Sequence, residues 1–169
     1  MTVTRAGLTH AYKWAVIMGL TGWLFHRTLE RLFDRWWNDP TYAHGLLVPL
    51  VSAFFLYENL RRVKTSKMGG AVLGAAGLVM AALVLFAGRL GNMLFAEAIA
   101  FIAVLAALVL LVEGWTVLSA SAAPLAYLLF ACPLPSVLYD SASAKLRLLA
   151  SAASTAFLQF AGVPATSSG

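Results

Sequence analysis

Few side chains in this 169-residue sequence could do chemistry, and most of those stand alone. A thiol becomes a nucleophile when a neighbouring base takes its proton. The single cysteine, Cys132, precedes Pro133 at the end of an apolar stretch. That place suits a buried small hydrophobe better than a nucleophile. One cysteine also excludes an internal disulfide framework and any multi-cysteine metal site. His44 sits at the polar edge of an apolar run, with no cysteine or serine adjoining it, which suits a structural hydrogen bond at a membrane interface. Glu97 lies inside another apolar run, where an unpaired carboxylate would cost on the order of a few kcal/mol. Arg89, just across a short turn, is the expected partner, with a proton-relay role as the alternative. No catalytic residue, metal ligand or cofactor is assigned from these positions.

The elements that must position these residues are membrane helices. The chain is 61% apolar and 11% charged, with a mean hydropathy of +0.82, whereas soluble domains are about half apolar and a quarter charged. The net charge of +5 would suit nucleic acid on a soluble basic face, but the basic residues are spread between apolar runs. Membrane lipids are therefore the expected partners, and nucleic acid is not. The expected fold class is all-α: a polytopic integral membrane helical bundle of about five transmembrane helices plus interfacial amphipathic helices, as one domain over residues 1–169.

The spans follow from runs of about 20 apolar residues. Trp14 to Phe25 is an uncleaved first span, since His26-Arg27 follows it where a signal peptide would have small residues. Residues 26–44 form an extracytoplasmic interfacial segment, with Leu29, Leu32, Phe33, Trp36 and Trp37 at near-helical spacing and the tryptophans expected as headgroup anchors. Further spans are expected at Gly45 to Leu60, Gly69 to Gly88, Leu94 to Val112 and, shortened by Pro124, Val117 to Ala131. Gly70 and Gly74 make a Gly-x-x-x-Gly that permits close helix approach. Pro133 and Pro135 stop the last span, and residues 138–160 form an amphipathic helix. Arg61, Arg62, Lys64 and Lys67 mark a cytoplasmic loop. Six lysines and arginines fall on that side (with Arg5 and Lys13) against four outside (Arg27, Arg31, Arg35 and Arg89).

Two ordered blocks carry a resemblance. Tyr42-Ala43-His44-Gly45-Leu46-Leu47-Val48-Pro49 is similar to the Tyr-Ser-His-Gly-Phe-Leu-Val-Pro block of the exosortase and archaeosortase family. Pro124-Leu125-Ala126-Tyr127-Leu128-Leu129-Phe130, leading into Pro133-Leu134-Pro135-Ser136, resembles its second block, and Gly162-Val163-Pro164 its later Gly-Val-Pro element. The resemblance implies a cell (inner) membrane cysteine transpeptidase or protease acting on the C-terminal sorting signals of exported proteins, of the PEP-CTERM type: a Pro-Glu-Pro motif, an apolar helix and a basic tail. It also implies that the thiol nucleophile and its arginine and histidine partners lie beyond Gly169, so that the chain reads as an N-terminal fragment, inactive alone. By the same resemblance Tyr42, His44 and Asp140 are candidates for a substrate groove. A non-enzymatic membrane scaffold and a small transporter subunit are the alternative readings.

Overall fold

The computed structural model describes residues 5–63, 69–133 and 136–160, and every regular element among them is helical. The order is α1 (Arg5–Asn38), a 3-10 helix (Pro40–Leu46), α2 (Leu47–Arg62), α3 (Ala71–Leu90), α4 (Leu94–Glu113), α5 (Trp115–Tyr127), a second 3-10 helix (Leu128–Ala131) and α6 (Ser136–Phe160). Three stretches, Pro40–Arg62, Ala71–Leu90 and Leu94–Glu113, are long and apolar enough to cross a membrane, and Trp115–Ala131 is a shorter apolar helix. The chain divides into two compact units, residues 1–133 and 134–169.

In the first unit α3 and α4 form an antiparallel hairpin. Its turn uses Asn92 at φ 50°, a left-handed conformation that asparagine tolerates better than most residues. The two axes come close because α3 presents glycine to α4. A Cβ on Gly74 would lie 2.7 Å from the backbone nitrogen of Leu111, and one on Gly77 would lie 3.1 Å from the Ala107 Cβ. The Gly-x-x-x-Gly stretch is therefore a packing surface, extended along the helix by Gly77 and Gly88.

Helix α1 differs from its expected form. It runs unbroken through His26 to Asn38, so the first span and the interfacial segment up to Asn38 are one helix, and the rest of that segment turns into the 3-10 helix. The charged residues after His26 keep helical spacing, and nothing between Phe25 and Asn38 breaks the backbone ladder. Phe25, fully buried, packs edge-on against Phe101 of α4 at 5.2 Å between ring centres, in a core shared with Ala81, Leu85, Ala100 and Val104.

The polar ties show that α1 and α4 are antiparallel. Trp14 Nε1 donates to Glu113 Oε1 at 2.9 Å at one end, and Arg31 donates to Glu97 at 2.8 Å at the other. From Trp14 to Arg31 the helix rises about 25 Å, most of a bilayer core. In the second unit α6 runs from Ser136 to Phe160, close to the expected amphipathic helix, and Leu146, Leu149, Phe157 and Phe160 stand exposed along it.

Candidate functional site

The two sequence blocks meet at one end of the first unit. Asp39 caps the first 3-10 helix by accepting from the Thr41 backbone N–H at 3.0 Å, and Pro40 follows at a position that needs no donor. This turn brings His44 back toward the second 3-10 helix, where its Nε2 donates to the Phe130 carbonyl at 3.2 Å. Trp36 Nε1 donates to the next carbonyl, Ala131 O, at 2.9 Å. Both carbonyls lie at a helix end where Pro133 has no N–H to offer, so side chains satisfy them instead. Gly45 leaves room for this, since a Cβ there would collide with the Trp36 indole. The two tryptophans thus part company. Trp37, 70% exposed and stacked on Phe33, remains free for the headgroup layer, while Trp36 is tied into the protein and is not merely an anchor.

A second pair of bonds ties α2 to α5. Pro124 cannot donate to Ala120 O one turn back, and Asn59 Nδ2 fills that place at 3.0 Å. Ser52, itself buried, donates to Pro124 O at 2.8 Å. Neither residue was singled out from the sequence. A proline inside an apolar helix was the available signal, because it leaves a carbonyl that a neighbouring polar side chain must reach.

Tyr42 is half-buried under the Arg35 guanidinium, 5.4 Å from its ring centre, and Arg35 also lies 3.6 Å from Asp39. Tyr42 and His44 therefore belong to one turn packed on α1. Asp140 falls within α6, in the other unit, and its side chain lies outside the description. Arg61 and Arg62 form the last turn of α2, where cations complement the helix dipole. Arg62 pairs with Glu58 at 2.7 Å, and Arg61 lies over Tyr57. Lys64 and Lys67 lie outside the described residues.

Cys132 is buried against Leu32 and Ala98. Just past the apolar helix Trp115–Ala131, its thiol is pushed up to about 11 by loss of water around the charged form. Among the described residues its Sγ finds one polar neighbour, the Leu128 carbonyl at 3.8 Å. It borders an open apolar cavity of about 520 Å³ lined by Leu29, Phe33, Trp36, Pro49, Phe101 and Ile102 among others.

Glu97 is 2% exposed and fully engaged: Thr28 donates to Oε2 at 2.7 Å and Arg31 to Oε1 at 2.8 Å. The expected partner, Arg89, donates instead to the Leu24 carbonyl at 2.6 Å. Closeness along the chain pointed to Arg89, but α1 packs on α4 and brings Arg31 into line with the carboxylate. Among the described residues no buried side-chain nitrogen or oxygen lacks a partner, and no three metal-binding side chains cluster.

No curated protein and no solved structure matches the chain. The family model described as transmembrane exosortase matches residues 36–169, from the Trp36 that ties α1 to the second 3-10 helix to the end of the sequence. That match covers most of the chain and both segments that meet at His44, and the chain belongs to the transmembrane exosortase family.

Proposed function

We propose that this chain supplies the substrate-receiving side of a membrane cysteine transpeptidase or protease that processes C-terminal sorting signals of exported proteins. The observation that carries the reading is the junction of the two family blocks through His44 and the Phe130 carbonyl, beside an apolar cavity wide enough for large side chains. In this reading the signal's apolar helix lies along the cavity and its polar motif reaches the Tyr42–His44 turn. Cys132 takes no nucleophilic part, since burial holds its thiol in the neutral form. The Arg61–Lys67 side is cytoplasmic and the His44 side extracytoplasmic, in the inner membrane. Reporter fusions test this orientation, which requires position 65 inside and position 38 outside.

The binding step can be tested without chemistry. A photo-cross-linker in place of Ala43, which is exposed on the same turn, captures a co-expressed reporter ending in Pro-Glu-Pro, an apolar helix and a basic tail. His44→Ala lowers that capture at unchanged protein level. Equal capture at equal level overturns the role of His44. A loss of protein with unchanged capture per molecule assigns it to folding alone.

A further inference from the structure

On the other flank of α1, away from the Tyr42–His44 turn, a cavity of about 550 Å³ is lined by Trp23, Leu24, His26, Arg27, Arg31, Arg89, Asn92 and Glu97. We infer that it is a binding site for a phosphate group. Three guanidinium groups face one carboxylate there. Glu97 is neutralised by Arg31 and has both oxygens engaged. Arg89 spends a donor on a neutral carbonyl, which leaves its charge uncompensated. Arg27 is exposed and has no acidic partner among the described residues. The cavity therefore holds two uncompensated positive charges and several unused N–H donors, with the Asn92 side chain also on its wall.

Forked guanidinium donors match a tetrahedral oxyanion, and their bonds to it are about twice as strong as neutral ones. The Nδ1 of His26 donates to the Trp23 carbonyl at 2.7 Å, so Nε2 of the neutral ring is an acceptor, suited to the hydroxyl of a singly protonated phosphate and not to its charged oxygens. The surroundings suit a phosphate carried on a lipid. Trp23, Leu24, Leu90 and Met93 stand exposed close by in sequence, offering apolar surface beside the charge. Basic pockets between membrane helices take lipid headgroups in this way. Free phosphate has the same chemistry, and the two sources are separated by experiment.

The purified full chain in a neutral detergent is titrated with phosphatidylglycerol and, separately, with inorganic phosphate. Saturable binding of at least one probe is expected, with about a tenfold loss of affinity in Arg27→Gln, the effect of one charged hydrogen bond. Arg27→Lys recovers part of it. Arg27 is chosen because it bears on no internal partner, whereas replacing Arg31 would strand Glu97. An unchanged thermal midpoint without probe certifies the fold. Binding of the lipid but not the free ion assigns a headgroup site. Binding of free phosphate, with the same dependence on Arg27, assigns a soluble anion site. If neither probe binds, or if Arg27→Gln binds like the parent, the phosphate site is overturned.

Discussion

The α3–α4 hairpin and the α2–α5 pair solve the same problem by opposite means. Inside a bilayer, helices gain little from burying apolar surface, so association rests on close backbone packing or on hydrogen bonds between helices. The hairpin uses the first. Gly74 and Gly77 let α4 come almost to backbone contact, and no side-chain hydrogen bond between the two helices is found among the described residues. The α2–α5 pair uses the second. Asn59 and Ser52 bind the carbonyls of Ala120 and Pro124, and His44 extends the series to Phe130. The difference follows the backbone. A regular helix offers no free carbonyl along its length, whereas Pro124 leaves Ala120 O without its helical donor and Pro133 brings no N–H to the end where Phe130 O lies. The irregular half is the one that carries both family blocks.

Three substitutions test that contrast, in falling order of effect. Gly74→Val should break the hairpin, because its Cβ meets backbone that cannot move aside as a side-chain tip would. A loss of about 3 kcal/mol or more is expected in reversible unfolding from micelles, above the usual range for overpacking. A loss under 1 kcal/mol would mean that the helices can slide apart freely.

Asn59→Leu should cost about 1 kcal/mol, the usual size of an interhelical hydrogen bond in a membrane. The cost should shrink when Pro124→Ala is present, because the new backbone N–H can satisfy Ala120 O. A double-mutant cycle reads that coupling directly. Additive effects would show that Asn59 acts by packing and not by replacing the missing donor.

Cys132→Ala should do least, about 1 kcal/mol or below. In the parent chain the thiol, moved from 9.0 to about 11, should alkylate about a hundredfold more slowly at pH 8 than an unperturbed thiol, since only the thiolate reacts. Rapid labelling of folded protein would mean that Cys132 is far more accessible than its burial implies.

The hairpin was largely legible in the sequence. Its apolar runs, its turn and its glycine spacing are local patterns, and each survives in the fold. The irregular half was legible only as a pair of motifs. That His44 makes a structural hydrogen bond followed from its place at an interface, but its acceptor lies in the second block, and no local pattern gives that pairing. Glu97 shows the same limit. Its need for a cation was plain from its burial, yet the nearest arginine along the chain was the wrong one. The continuity of α1 was missed because its composition changes at His26. Composition reports the solvent around a helix, while continuity depends on the backbone.

That continuity sets a length. Trp14 and Arg31 fix α1 to the two ends of α4, and from Arg31 to Asn38 the helix climbs about 10 Å more. With the Trp14–Arg31 stretch taken as level with the hydrocarbon core that α4 crosses, and a headgroup layer about 5–8 Å thick on each side, the Trp36–His44 junction would stand near the outer margin of that layer. An extended chain leaving the bilayer beside α1 covers about 3.3 Å per residue. Such a chain would place its third residue or so beyond the hydrocarbon edge level with His44. A stiff helix of fixed reach thus acts as a depth gauge, and it would select partners by the spacing between their membrane anchor and the motif that precedes it.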